Sequence, residues 1–163
     1  MIFFITVLIA MATVSACVLY HYEALRLASM VIPRLSISPR PKVLVVIAMV
    51  FAAHVAEVGI FGLVYYAMDH FPVLGKIDGN FSANATDFFY FSITSFTTLG
   101  IGDLFPHGGY RVVVGFESLT GFGLIGWSVS FTYLEMQELW NQHGRKARRA
   151  AHRAQRRSDR RNN

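Results

Sequence analysis

The sequence predicts an all-α membrane protein, with three transmembrane helices plus one re-entrant half-span helix and its loop. Three observations carry this. Of 163 residues, 53% are apolar types, and they fall in separate long runs, whereas about 20 consecutive apolar residues suffice for a helix to cross a bilayer. Charge is segregated, with nine of the fifteen Lys and Arg in residues 144–163. Finally, an irregular stretch, Thr97-Thr98-Leu99-Gly100-Ile101-Gly102-Asp103, lies between apolar segments of spanning length.

The length is that of one domain. The net charge of +5 comes from the C-terminal end, and the rest of the chain is net negative, so no nucleic-acid partner is inferred. The single cysteine, Cys17, sits in an apolar run. It offers neither an intrachain disulfide nor a metal cluster and reads as a small packing residue.

Residues 1–22 form the first spanning helix. No charge occurs before Glu23, the positive start of a signal peptide is missing, and the apolar run is longer than such a peptide needs. Residues 23–42 follow as a basic linker, with Arg26, Arg34, Arg40 and Lys42 against Glu23. Pro33, Pro39 and Pro41 are expected to break any long helix there, leaving at most a short interfacial helix over 23–31. The positive-inside rule puts this linker in the cytoplasm.

Residues 43–68 form the second spanning helix, with Tyr65 and Tyr66 at its end suited to the interfacial aromatic belt. His54 and Glu57 interrupt it three residues apart, on one helical face. Ionisable groups at that depth face protein or water. The pair is either a proton-sensitive element or ion-path ligand, or a helix-to-helix hydrogen bond to the first helix or to a neighbouring subunit. Residues 69–84 read as a polar, turn-rich external loop. Asn80-Phe81-Ser82 and Asn84-Ala85-Thr86 match the glycosylation pattern there, a match that chance often supplies.

Residues 85–98 are too short to span, at about 21 Å if helical. Thr86 or Asp87 is expected to cap the start. The C-terminal end of such a half-span helix brings partial negative charge towards the bilayer centre, where it favours a cation. Residues 98–103 then leave the helix at membrane depth, where irregular backbone must be buried in protein or line a wet path. Two glycines one residue apart let the backbone alternate in handedness at low steric cost. Carbonyls can then face an axis where several copies meet, and a ring of them can replace the water shell of a cation.

The run Tyr90-Phe91-Ser92-Ile93-Thr94-Ser95-Phe96-Thr97-Thr98-Leu99-Gly100-Ile101-Gly102-Asp103 resembles the pore helix and selectivity filter of the tetrameric potassium channels. Both threonines, both glycines and the aspartate match the family pattern Thr-Thr-Val-Gly-Tyr-Gly-Asp. Leu99 stands where valine or isoleucine is usual, and Ile101 where tyrosine or phenylalanine is usual. The resemblance implies a homotetramer conducting monovalent cations passively, with potassium preferred. It implies ion-binding roles for Thr98, Leu99, Gly100, Ile101, Gly102 and Asp103, with K+ held by the carbonyls of Thr98, Leu99, Gly100 and Ile101. Thr94, Thr97, Glu117 and Gly121 take pore-supporting or gating roles. In that family the helix before the pore lies at the periphery, which favours the hydrogen-bond reading of His54 and Glu57.

Residues 111–136 form the inner helix. Gly121 corresponds to the family's bending glycine, or serves as a small residue at a tight crossing. Glu117, one turn earlier, is expected to be shielded from lipid, behind the filter or beside the cavity. Residues 137–163 are a basic cytoplasmic tail, solvated or bound to anionic headgroups at about 1 kcal/mol per basic residue.

The expected partners are copies of the chain and membrane lipid, in the plasma or inner membrane with the N-terminus external. No cofactor beyond permeant K+ is implied. The histidines and acids show no catalytic or metal-ligand spacing in the sequence, so no enzyme is expected. A weakly selective cation channel and a non-conducting modulatory subunit are the alternatives. A secondary transporter would show repeated halves, which are not found.

Overall fold

The computed structural model describes the backbone of residues 1–162 and the side chains of residues 1–38 and 41–141. Four helices follow one another: α1 (Ile2–Arg34), α2 (Pro39–Asp69), α3 (Ala85–Phe96) and α4 (Tyr110–Asn162). Two short strands, β1 (Ile77–Gly79) and β2 (Leu104–Pro106), flank α3 in sequence. Helices α1 and α2, and α4 as far as Asn141, are long and apolar enough to cross a membrane. With 12 residues, α3 reaches about 18 Å, little more than half of the hydrocarbon core.

Helix α1 buries Thr6, Ala10, Thr13, Cys17, His21, Leu25, Ala28 and Ile32. Steps of three and four place these on one stripe. Small residues along its first half let the backbone come close to α2 and α4, both of which it contacts. The two buried threonines satisfy their hydroxyls within the helix, Thr6 donating to Phe3 O at 2.9 Å and Thr13 to Ile9 O at 2.8 Å. The remaining face carries exposed Phe3, Phe4, Leu8 and Leu19, as suits a helix surrounded by lipid.

The linker expected over 23–42 is mostly helix. Helix α1 runs through Pro33 to Arg34, and α2 starts at Pro39, so only residues 35–38 leave the helical path. Proline in the final turn disturbs little helix beyond itself, and proline at the first helical position loses no hydrogen bond, because that N–H has no intrahelical partner. The helix expected over 23–31 is therefore a continuation of α1. The inner helix also exceeds its expected limits of 111–136, since α4 continues along the basic tail. The headgroup contact expected of Arg145-Lys146-Ala147-Arg148-Arg149 falls outside the residues whose side chains are described.

The start of α3 is capped by Asn84, not by Thr86 or Asp87. Asn84 Oδ1 accepts from the Asp87 N–H at 2.9 Å, and the Asp87 carboxylate reaches back to the Ser82 N–H at 2.6 Å. The first bond is that of an N-cap side chain, and the second ties the chain preceding the cap to the first turn of the helix. The cap also commits the Asn84 amide of one glycosylation match to the helix start.

The loops around α3, expected as irregular, are joined by an antiparallel ladder pairing Ile77 with Pro106, Asp78 with Phe105 and Gly79 with Leu104. The Asn80 N–H extends it to Asp103 O at 3.2 Å, and the His107 N–H to Lys76 O at 2.8 Å. Gly79 is required here: its φ is +112°, and a Cβ would overlap the carbonyl of Asp103. At the same end of the bundle Thr6 of α1 packs against Gly109. Met1 and the ladder therefore share one side, and the turn over 35–38 occupies the other.

Phe61, Tyr65, Phe88, Phe91, Phe96, Tyr110 and Val113 form the centre of the core. Tyr65, expected in the aromatic belt, is fully buried instead. Its ring meets Phe91 edge-on at 5.0 Å and stacks with Tyr110 at 5.8 Å. Tyr66 points outward.

Candidate functional site

Three residues of the Gly-x-Gly stretch have left-handed backbones: Thr98 at φ +57°, Gly100 at +50° and Gly102 at +87°. Leu99 and Ile101 between them do not, so handedness alternates residue by residue. For a β-branched threonine this conformation is strained. Hydrogen bonds to the last turn of α3 hold it: Thr97 N–H to Ile93 O at 3.1 Å, Thr98 N–H to Ser95 O at 3.0 Å and Gly100 N–H to Thr94 O at 3.2 Å. The hydroxyls of Thr94 and Thr97 also turn back onto their helix, to Phe91 O at 3.0 Å and Ile93 O at 2.6 Å. Both side chains thus shape the helix end from which the loop departs.

The loop is tied at its far end as well. The Tyr90 hydroxyl donates to Asp103 Oδ2 at 3.0 Å, across the length of the stretch, and Asp103 O joins the outer ladder. From α4, the Ser118 hydroxyl donates to Ser95 O at 2.9 Å. Gly121 touches the last turn of α3 so closely that a Cβ would overlap the carbonyl of Phe96. The tight-crossing role of Gly121 is therefore visible directly. Between loop, α3 and α4 a cavity of about 310 Å³ is lined by Phe91, Thr94, Ile101, Asp103, Val114 and Ser118 among others. Leu99 and Ile101 are 64% and 60% exposed in a single chain.

Behind α3, Glu117 of α4 is fully buried. It accepts from the Tyr65 hydroxyl at 2.5 Å. Its other oxygen lies 2.6 Å from the Ser92 hydroxyl, which is also 2.8 Å from Val58 O. One carboxyl group thus joins α2, α3 and α4. It is shielded from lipid, on the side of α3 that faces α2.

A second polar centre is one that spacing alone did not reveal. Two of the histidines and one acid, His21, His54 and Glu57, dispersed in sequence, converge where α1 meets α2. His21 Nδ1 lies 2.7 Å from Glu57 Oε1, and His54 Nδ1 lies 2.8 Å from Glu57 Oε2. Ser128 of α4 reaches His21 Nε2 at 3.2 Å. The two imidazoles stack at 5.3 Å. The hydrogen bond from the second helix to the first is the simpler of the alternatives open for His54 and Glu57. Only the pair three residues apart was legible; His21 is 36 residues from Glu57.

On the outer ladder Asp78 pairs with Lys76 at 2.7 Å and His107 at 3.2 Å. The hydrogen bond from Lys76 holds the Asp78 carboxyl below its ordinary pKa, with the charges of Lys76 and His107 acting in the same direction.

A comparison with protein families finds a match over residues 53–137 to the family described as "Ion channel". The match runs from within α2, through α3 and the Gly-x-Gly stretch, into α4. No curated protein and no solved structure matches the chain.

Proposed function

The chain belongs to the ion channel family, and from that membership we propose that it forms a passive pore for monovalent cations, potassium by preference, in which four copies surround one axis. It is a multi-pass membrane protein with three apolar spans. The observation that carries the proposal is the alternating handedness at Thr98, Gly100 and Gly102, at the C-terminal end of a half-span helix. Alternation lets successive carbonyls face one direction, and α3 directs the negative end of its dipole to the same place. In this reading the carbonyls of Thr98, Leu99, Gly100 and Ile101 replace the water around K+, with the Thr98 hydroxyl at the inner end. Gly102 and Asp103 form the outer rim.

One chain supplies one loop, and a ring needs several. Exposure in the single chain supports this: Leu99, Ile101, Leu119, Phe122 and Val129 all lie open, on the loop and along α4, where neighbouring copies would cover them. The N-terminus and the β1–β2 ladder face the exterior, and residues 35–38 and the basic tail face the cytoplasm, following the distribution of Lys and Arg.

A weaker selectivity is the second reading, favoured by Ile101 and the cavity beside it. A filter whose packing is incomplete holds its carbonyls less rigidly, and rigidity is one of two competing accounts of potassium preference. The test is ion flux through purified protein in liposomes under potassium and sodium gradients. Potassium flux above sodium flux is expected. Equal fluxes replace the first reading by the second, and no flux from a stable tetramer overturns both in favour of a non-conducting subunit.

A further inference from the structure

We propose that His21, His54 and Glu57 form a binding site for a divalent transition metal ion, zinc by preference, that clamps α1 to the pore-forming part of the chain. Each residue offers one ligand atom, and the three atoms lie within 4.8 Å of one another. Two imidazole nitrogens and a carboxylate are the donor set of three-ligand zinc sites, which leave a fourth position for water. The closest separations, 2.7 and 2.8 Å, run to different oxygens of Glu57 and fall about 0.6 Å below the roughly 3.3 Å edge of a tetrahedron whose bonds are about 2.0–2.1 Å. Admitting an ion requires the rings to move away from the carboxylate by about that much.

Burial strengthens the case. The side chains of His21 and Glu57 are fully buried, and that of His54 is 18% exposed. A carboxylate inside a spanning helix needs a compensating charge or donors, and a divalent ion is a stronger compensation than two neutral imidazoles. Ser128 provides the outer support that metal-ligating histidines normally have. With Nδ1 of His21 on the metal, its Nε2 carries hydrogen and donates to the Ser128 hydroxyl, which fixes the ring and its tautomer. Entry is from the side of His54, the one partly exposed member.

Without metal, each Nδ1–H donates to one oxygen of Glu57, and the group is already satisfied. On binding, the ion takes the place of these two hydrogens at Nδ1, and each ring, still neutral, carries its hydrogen on Nε2 instead, so the exchange is a change of tautomer without net loss of a proton. The ion joins residues from α1 and α2, with Ser128 of α4 behind His21, so occupancy holds the first helix against the two helices that frame α3.

The test uses purified full-length protein, freed of any affinity tag, stripped with chelator and re-exposed to zinc chloride. Bound zinc per chain is measured after gel filtration, and cobalt chloride serves as a spectroscopic probe. About one zinc per chain above the His54→Gln variant is expected, with cobalt giving the strong visible bands of a tetrahedral site. His54→Gln leaves the buried pair of His21 and Glu57 intact, so its fold should hold. Subtracting its binding also removes zinc held by surface histidines such as His70 and His107. Ser128→Ala should weaken zinc binding about 10-fold or more through loss of ring positioning. If zinc binding is equal in the parent and His54→Gln, the proposal fails, and the cluster is a hydrogen-bonded clasp alone. Should His54→Gln not fold, unchanged zinc affinity in Ser128→Ala together with no tetrahedral cobalt bands in the parent likewise overturns it. None of these readouts requires conduction, so the site stands or falls separately from the proposed pore.

Discussion

Glu117 of α4 and Ser92 of α3 lie 2.6 Å apart inside a membrane-spanning bundle, with the Val58 carbonyl of α2 2.8 Å from the same hydroxyl. Ser92 has one hydroxyl hydrogen and faces two acceptor groups. A glutamine amide at position 117 can supply a hydrogen to Ser92 and still accept from Tyr65. Glu117→Gln is therefore expected to retain the fold and the assembly. Glu117→Ala leaves the buried Tyr65 hydroxyl without its acceptor, while Ser92 keeps the Val58 carbonyl, and opens a void, costing about 1–3 kcal/mol for the unpaired hydroxyl alone. Thermal unfolding of the two variants in detergent checks this; equal stability would show that the carboxyl group joins nothing of consequence.

Gly121→Ala should be disruptive, since the added methyl would overlap the Phe96 carbonyl, a backbone atom that cannot rotate aside. Overpacking of this kind costs about 1–3 kcal/mol. Gly126 on the same helix has no described atom within 4 Å of an added Cβ, and Gly126→Ala serves as the control. The melting temperatures of the two variants should separate clearly, with Gly121→Ala the lower.

At Gly100 and Gly102 the constraint is conformational. No described atom lies within 4 Å of a Cβ at either position, but φ is +50° and +87°. Left-handed backbone costs an L-residue about 1–2 kcal/mol. Gly100→Ala and Gly102→Ala should thus preserve the helical bundle, as read by circular dichroism, and abolish flux. Normal flux in a well-folded Gly100→Ala protein would remove this loop from the ion path.

Ile101→Tyr addresses the cavity of about 310 Å³ next to the loop. A larger ring there would add packing against α3 and α4. Under the rigidity account it should raise potassium-over-sodium selectivity, read as a shift in bi-ionic reversal potential. No shift would favour carbonyl field strength as the determinant.

Orientation can be tested with one engineered thiol at each end, in a Cys17→Ser background. Ala150→Cys should react only after cells are permeabilised, and Ser82→Cys in intact cells, following the positive-inside rule. The reverse pattern would invert the topology.

The sequence by itself determined the features that depend on short stretches of chain. Apolar runs of spanning length specify α1, α2 and α4 because lipid demands internally satisfied backbone wherever the chain crosses. The spacing of Gly100 and Gly102 calls for alternating handedness, and the backbone has it, with one further left-handed position at Thr98. The cap at Asn84 was missed, since Thr86 and Asp87, expected as caps, lie inside the first turn; asparagine immediately before the helix was the available signal. The prolines marked a real break, although helices tolerate proline at their ends and the break shrank to residues 35–38.

Only the tertiary structure decided which distant groups meet. The ladder of β1 and β2 rests on three-residue strands, too short to show periodicity, paired across the whole of α3. Glu117 was recognisable as a buried acid, but its partners Tyr65 and Ser92 are 52 and 25 residues away. His21 had no local signal at all, because one histidine on an apolar stripe acquires its chemistry from what faces it. Packing of α1 against α2 brings it to Glu57, and the rotation of each helix about its axis sets that meeting. Hydropathy leaves that rotation undetermined when a helix is apolar nearly all round, and contacts between helices supply it.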